Sequence, residues 1–162
     1  MRLKVAVLLL SAMPLAADAG EGSDDHFVLG TYFCQMRAGG AERPVRYLLT
    51  ESLLEEIDKA EAKNAKIEAA RPDEKPPLGD GIPFQSFPDQ ADSCAPTSVD
   101  TVDGVETMDI SYKFTTTPDA DWVDKVVVTK ENGRLLIDDV LYGSEKHAAG
   151  LRKALVDLFA RQ

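Results

Sequence analysis

The sequence predicts an α+β domain in which N-terminal helices pack on a curved, four-stranded antiparallel meander that a C-terminal helix follows. Apolar residues recur with helical spacing in the first half of the chain, and they alternate with polar residues in the second half. Two hairpin dipeptides, Asp103-Gly104 and Asn132-Gly133, lie between the alternating stretches. Helices and strands that are segregated along the chain are typical of α+β proteins.

The first half predicts two helices. In residues 25–37, the side chains of Phe27, Thr31 and Cys34 fall on one helical face. A longer amphipathic helix follows Thr50, whose hydroxyl we expect to cap it. The stripe that faces the core consists of Leu49, Leu53, Ile57, Ala60, Asn64 and Ile67.

Residues 71–92 are the least regular part of the chain and contain five prolines. Proline removes backbone donors, so neither a long helix nor a central strand fits here. The apolar side chains of the segment predict that it packs on the body of the domain, and long irregular loops are often functional. A candidate binding rim therefore consists of Asp80, Phe84, Gln85, Phe87 and Asp89.

The second half predicts four consecutive strands. Residues 97–102 and 105–115 form one hairpin, and residues 122–130 and 134–142 form the next. In the second strand the inward side chains are Met108, Ile110, Tyr112 and Phe114. Ser144 is then expected to cap a last helix, whose apolar face carries Leu151, Leu155, Leu158 and Phe159.

Residues 1–19 have the layout of a secretory signal peptide. Arg2 and Lys4 precede an uncharged, mostly apolar run, and the small residues Ala17 and Ala19 suit cleavage after Ala19. The run is shorter than the roughly 20 apolar residues that span a bilayer. We therefore expect residues 20–162 to be exported, to the periplasm or outside the cell, as a single domain without a membrane anchor.

Export changes the interpretation of the two cysteines, Cys34 and Cys94. In an oxidising compartment an isolated pair is best explained as one disulfide. The alternative is a redox-active or metal-binding pair, but the C-x-x-C spacing is absent and the chain has only two histidines, His26 and His147. We expect both histidines to be exposed.

Composition and motifs exclude several classes of function. The net charge of −10 disfavours nucleic acids and anionic membranes as partners, because phosphate groups attract basic surfaces. The sequence has no nucleophile elbow, no phosphate-binding glycine loop and no paired-histidine metal motif. We therefore expect neither a cofactor nor a metal. Trp122 could anchor a partner, although closure of one end of the core is the more common role of such a residue.

Several segments resemble a known superfamily. Residues 132–142 resemble the usual ending of cystatin-like, nuclear-transport-factor-2-like domains, a turn followed by Trp-x-Ile-x-Asp, except that Leu135 stands at the tryptophan position. Residues 47–50, 84–92 and 151–155 are similar to an exported bacterial group, the domain-of-unknown-function 3828 family. The resemblance covers residues 24–160 and implies a cone-shaped fold. It implies no single activity, because some superfamily members are dehydratases or isomerases and many only bind ligands or proteins.

The expected cone makes four residues candidates for its lining: Tyr112, Asp138, Asp139 and Tyr142. Asp138 and Asp139 are neighbours on a strand, so we expect them to face opposite sides, with one of them inward. An inward carboxylate could act as a general base. Alternatively, both are surface or strand-end residues, with one of them bonded to a backbone amide or an arginine, and the tyrosines belong to the core.

The favoured functional hypothesis is an exported, non-catalytic binding module for a small ligand or a protein. A first alternative is an immunity-type protein that neutralises a toxin by protein–protein contact, because an acidic inhibitor suits a basic partner. A second alternative is a small hydrolase or isomerase that uses Asp138 or Asp139.

Overall fold

The computed structural model describes residues 21–38, 42–143 and 149–160. The predicted signal peptide at residues 1–19, together with Ser144 and His147, lies outside the described residues. The helices are α1 (Glu21–Ala38), α2 (Glu42–Val45), α3 (Glu51–Ala70) and α4 (Leu151–Ala160), with short 3₁₀ turns at Arg46–Leu48 and Pro118–Ala120. The strands are β1 (Ser93–Val102), β2 (Val105–Lys113), β3 (Trp122–Glu131) and β4 (Arg134–Leu141).

The four strands form one antiparallel meander in the order β1-β2-β3-β4, as predicted. Asp103 and Asn132 have φ angles of 55° and 51°, and each is followed by a glycine that also has positive φ. Two consecutive residues of this kind form the tight turn that matches the twist of a hairpin. The α+β prediction is therefore confirmed.

Strand β1 begins at Ser93, earlier than the predicted start at residue 97. The added residues include Pro96, which is tolerated because β1 lies at the edge of the sheet, where a residue can lack an N–H group. The pairing with β2 shifts between Pro96 and Ser98, which places an irregularity next to the proline. Such features blunt an exposed strand edge.

One face of the sheet forms the core. Met108, Ile110 and Tyr112 on β2 are buried, as their alternation with polar residues predicted. The same hydrophobic cluster includes Val126, Val128, Ile137 and Val140 from the sheet and Phe33, Leu53, Ile57, Leu151 and Leu155 from α1, α3 and α4. The helices therefore pack on this face, and the edge of the cluster is formed in part by Leu158 and Phe159.

Helix α3 begins at the predicted cap. The Thr50 hydroxyl accepts a hydrogen bond from the Leu53 amide at 3.2 Å, and the Thr50 amide donates to the Ile137 carbonyl at 2.9 Å. The cap thus satisfies one free amide of the helix and also joins the helix to β4. This contact fixes the position of α3 relative to the sheet.

Helix α1 approaches the sheet closely at Gly30. A Cβ atom at this position would lie 2.8 Å from both Met108 Sδ and Pro96 Cβ. Only a residue without a side chain fits between the helix and β1 and β2 at this distance. The close approach places the second half of α1 beside the start of β1, where the candidate site lies.

Candidate functional site

A cleft of about 430 Å³ lies between the second half of α1, the start of β1 and the segment that precedes β1. We call it the disulfide cleft, because both cysteines lie in its wall. The side chains that define it are Thr31, Gln35, Arg37, Gln85, Asp92 and Ala95. Its volume falls within the range of small-ligand pockets, roughly 300–1,000 Å³.

The predicted disulfide between Cys34 and Cys94 is present, and the two Cα atoms are 5.5 Å apart. It joins the buried side of α1 to the second residue of β1 across 60 residues of sequence. The bond holds the two walls of the cleft at a fixed separation. A disulfide of this kind indicates an oxidising, exported environment.

Arg37 lies at the end of the cleft and is half-buried. Its guanidinium donates to the Phe84 carbonyl at 3.1 Å, to the Tyr112 hydroxyl at 3.1 Å and to Gln85 Oε1 at 2.6 Å. It also lies over the Phe33 ring, 5.5 Å from the centroid. In the described part of the chain, Arg37 forms no salt bridge, and every acceptor that it contacts is uncharged.

Arg37 lies beside a cluster of aromatic side chains, which it contacts through Tyr112. Tyr112 stacks on Trp122 with a centroid distance of 4.4 Å and an interplanar angle of 7°. Phe87 and Phe114 pack around the same indole ring. Burial raises the pKa of Tyr112 to about 12, although the charge of Arg37 acts in the opposite direction. The Tyr112 hydroxyl is therefore neutral at pH 7 and accepts the hydrogen bond from Arg37.

Asp124 lies fully buried beside this aromatic group. Its carboxylate accepts hydrogen bonds from the Ser86 amide at 2.9 Å, the Gly143 amide at 2.8 Å and the Trp122 indole at 3.1 Å. It thereby joins the proline-rich segment to β3 and to the residues after β4. Tyr142 adds a second link, because its hydroxyl donates to the Pro83 carbonyl at 2.6 Å. Burial raises the pKa of Tyr142, and nearby carboxylates add to the effect.

The five candidate rim residues do not form one surface: of the five, only Gln85 lines the disulfide cleft, and Asp89 is exposed outside the lining. Phe84 is buried in the core, so its side chain does not form a rim. Gln85 lines the cleft and donates to the carbonyls of Phe87 and Asp89, at 2.6 and 2.9 Å. Phe87 is 37% exposed and packs on Trp122, which places Trp122 at the end of the core rather than on an open surface. Asp80 is exposed and forms a salt bridge with Lys75 away from the cleft lining.

Asp138 and Asp139 do not alternate as expected. The β3–β4 pairing shifts so that Val127 lies opposite Asp139 and Val128 opposite Ile137, and Asp138 forms a bulge. Asp138 accepts from the Thr50 hydroxyl at 2.8 Å and from Arg152 at 2.6 Å. Asp139 accepts a hydrogen bond from the backbone amide of Arg152 at the start of α4. The alternative allows one of the two carboxylates a bond to a backbone amide or an arginine, and in the structure both have one: Asp138 binds Arg152, and Asp139 accepts from the amides of Val140 and Arg152.

Asp139 caps the N-terminus of α4, although Ser144 was expected to do so. The helix begins at Leu151, and the Asp139 carboxylate accepts from the Arg152 amide at 3.1 Å. The preceding residue, Gly150, has no side chain to cap the helix, and a Cβ there would lie 2.5 Å from Asp139 Oδ2. Burial raises the pKa of Asp139, and the hydrogen bonds from Arg152 and Val140 oppose this rise.

We expect Asp139→Ala to lower the free energy of unfolding by about 1 kcal/mol, because the first turn of α4 loses its acceptor. Asp139→Asn should retain most of this stability, since its side-chain oxygen can accept the same bonds. A raised folded-state pKa favours the protonated form, so ionisation costs stability as the pH rises above the ordinary value of 3.8. In urea unfolding from pH 3 to 7, the free energy of unfolding of Asp139→Asn should therefore rise relative to that of the wild type as the pH increases. A constant difference between them over this range would contradict the prediction.

Arg152, at the start of α4, is stabilised as a cation by the neighbouring carboxylates of Asp138 and Glu56. Burial disfavours the guanidinium cation, but Asp138 and Glu56 outweigh this effect and raise the pKa of Arg152. Arg152 contacts Glu56 at 2.8 Å and Asp138 at 2.6 Å. The two carboxylates proposed from sequence for acid–base chemistry thus serve as anchors between β4, α3 and α4, and neither lines the disulfide cleft.

His26 is buried rather than exposed, and its Nε2 atom lies 3.2 Å from Glu106 on β2. The sequence around His26 does not indicate this contact, because the two residues are 80 positions apart and meet only where α1 crosses the sheet. Across residues 21–38, 42–143 and 149–160, no group of three or more His, Cys, Asp or Glu side chains could hold a metal ion.

Sequence reasoning missed Arg37 and Asp124. Each residue is unremarkable in the sequence, where Arg37 ends a helix and Asp124 lies in a strand among other acidic residues. The one available signal for Asp124 was its place in the alternation of β3, where it shares a face with Val126 and Val128. A charged residue at an inward position of a strand requires partners and therefore indicates a site or an anchor.

Comparison with known proteins finds no match to this chain among family models, curated proteins or solved structures. None of the helices that the structure describes is long and apolar enough to cross a membrane. The fold and the site therefore define the class: an α+β domain whose disulfide lines a cleft between its first helix and the edge of its sheet.

Proposed function

We propose that the chain is an exported binding module that holds a ligand in the disulfide cleft and does not transform it. The observation that supports the proposal most directly is Arg37, a half-buried cation at the end of the cleft whose contacts in the described residues are all to uncharged acceptors. A cation held in a fixed position inside a concave site is typical of ligand recognition.

The proposal includes the family and the location. The order of helices, four-stranded meander and C-terminal helix supports membership of the cystatin-like superfamily and of its exported domain-of-unknown-function 3828 group. The signal-like start of the sequence supports export to the periplasm or outside the cell. The disulfide between Cys34 and Cys94 agrees with that route.

The acid–base alternative has less support. Asp138 is bound by Arg152, Thr50 and Ser52, and Asp139 accepts two backbone amides. A general base needs an acceptor that faces the substrate. The cleft instead offers one guanidinium, one carboxylate and several amide and hydroxyl groups, which are suited to binding.

The test uses Ala95→Trp, which introduces an indole into the cleft from an exposed position of β1. The purified, disulfide-bonded protein is incubated with a small-molecule and peptide extract of the envelope of the source cells, and the retained compounds are identified by mass spectrometry. We expect the wild type to retain compounds that the variant loses at least tenfold. The same compounds should raise the melting temperature of the wild type, because a ligand that binds only the folded state stabilises it.

Ala62→Trp provides the matched control, because it adds the same side chain to an exposed position of α3 outside the cleft lining. This variant should retain the same compounds as the wild type. Equal retention by the wild type and Ala95→Trp would contradict the proposal, and so would turnover of a retained compound by the wild type alone.

A further inference from the structure

We propose that the disulfide cleft binds the C-terminal end of a polypeptide, with the terminal carboxylate on Arg37 and an apolar side chain on the adjoining surface of α1. The inference rests on the proposed function, and it specifies the ligand class. It combines two features of the molecule: a guanidinium that is held in place with donors left for a carboxylate, and an exposed apolar surface beside it.

Arg37 retains donors for an anionic ligand. A guanidinium has five N–H groups, and the contacts with Phe84, Tyr112 and Gln85 use two on Nη1 and one on Nη2. The groups that remain are on Nε and Nη2, which together can bind both oxygens of a carboxylate. The three uncharged acceptors hold the guanidinium in place without neutralising it.

The surface of α1 next to the cleft is apolar and open. Val28 is 53% exposed and Tyr32 is 51% exposed, and with Phe27 they line a second, shallower hollow. Thr31 and Gln35 line both the hollow and the disulfide cleft, so the two are continuous. A ligand whose carboxylate lies at Arg37 can therefore place apolar groups on this α1 surface.

A polypeptide suits these features better than a fatty acid does. The hollow is open to solvent, whereas a long alkyl chain is held in sites that enclose most of its surface. The Gln35 amide is exposed at the junction and can both donate to and accept from a peptide group. Asp92, the one carboxylate among the lining residues, disfavours ligands that carry several negative charges. The net charge of −10 favours a partner that is otherwise neutral or basic.

The experiment uses an array of peptides whose last four residues are randomised, prepared in matched sets as free acids and as C-terminal amides. We expect the disulfide-bonded wild type to bind free acids with apolar residues near the C-terminus, and to bind the corresponding amides at least tenfold more weakly. Arg37→Gln should lose at least tenfold in affinity for the best free acid, since a charge-assisted pair is lost. Arg71→Gln, at an exposed arginine of the loop after α3, should bind as the wild type does.

A second variant is needed because Arg37 also holds Gln85 and Phe84, so Arg37→Gln could loosen the fold. Tyr32→Ser lies on the exposed α1 surface and should weaken binding of peptides with an apolar C-terminus severalfold, with unchanged thermal unfolding. Tyr47→Ser is its matched control, because Tyr47 is 76% exposed and does not line the cleft. Equal binding by both tyrosine variants would overturn the inference.

Two further outcomes would also overturn it: equal binding of free acids and amides, and displacement of the best peptide by decanoate at equal concentration. If the array shows no binding while Ala95→Trp still loses compounds from the envelope extract, the peptide inference fails and the proposed function remains. If both experiments show no difference, the disulfide cleft is not a binding site.

Discussion

Replacing both cysteines, in Cys34→Ser/Cys94→Ser, should lower the free energy of unfolding by about 4 kcal/mol. The disulfide closes a loop across 60 residues, and its loss restores that conformational entropy to the unfolded chain. Secondary structure should persist, because the sheet ladders and the core cluster do not depend on the bond. The measurement is guanidinium chloride unfolding at pH 7, followed by circular dichroism.

Two controls distinguish the loss of stability caused by losing the disulfide from the loss caused by the serine side chains. Reduction of the wild type with dithiothreitol should lower its stability to nearly that of the double variant, whose own stability should not respond to the reductant. Cys34→Ala/Cys94→Ala should fall close to the serine variant, apart from the cost of placing a hydroxyl in the buried position of Cys34. Unfolding curves that coincide for wild type and double variant would show that the bond adds no stability.

The sequence predicted the fold where local rules decide it. Asp103-Gly104 and Asn132-Gly133 adopt positive φ at turns that almost no other dipeptide favours, so both hairpins could be located without coordinates. The cap at Thr50 likewise needs only residues within one helical turn. These features depend on neighbours in sequence, and therefore a single sequence suffices to find them.

The candidate site depends on contacts between distant residues, which a single sequence does not reveal. Arg37 meets Gln85 and Tyr112 only because α1 crosses the sheet at Gly30 and the disulfide fixes it there. Asp138 forms a bulge in the pairing of β4 with β3, where its carboxylate accepts a hydrogen bond from the hydroxyl of Thr50, 88 residues away in sequence. A single sequence shows neither contact. Strict alternation therefore predicts opposite faces for Asp138 and Asp139, and the nearest capping residue type predicts Ser144 as the cap of α4, which in the structure is Asp139.

Gln85 shows how far a composition argument can reach. The prolines of the irregular segment prevent regular structure and therefore predict a rim, and Gln85 does line the cleft. Phe84 is predicted to lie on the same rim, but it is buried. A segment that packs on the core must alternate between anchors and exposed residues, and the side chain that faces inward is determined by the backbone geometry rather than by composition.

Asp124→Ala should lower the free energy of unfolding by about 3 kcal/mol, because buried donors that lose their acceptor each cost roughly 1–3 kcal/mol. Three donors lose it: the Ser86 amide, the Gly143 amide and the Trp122 indole. The proline-rich segment should detach at Ser86 and expose Trp122. Because Trp122 is the one tryptophan of the chain, its fluorescence should shift to longer wavelength under native conditions.

Two variants make this prediction specific. Asp124→Asn keeps one acceptor oxygen but turns an amide toward the remaining donors, so its stability should fall between those of the wild type and Asp124→Ala. Asp121→Ala removes an exposed carboxylate that accepts one backbone amide, from Phe114 at 2.8 Å, and should cost at most about 1 kcal/mol. If Asp124→Ala were no less stable than Asp121→Ala, Asp124 would not be the anchor of the segment. The wall that contains Gln85 would then be held by the hydrogen bonds of Arg37 and Tyr142 and by the packing of Phe84 in the core.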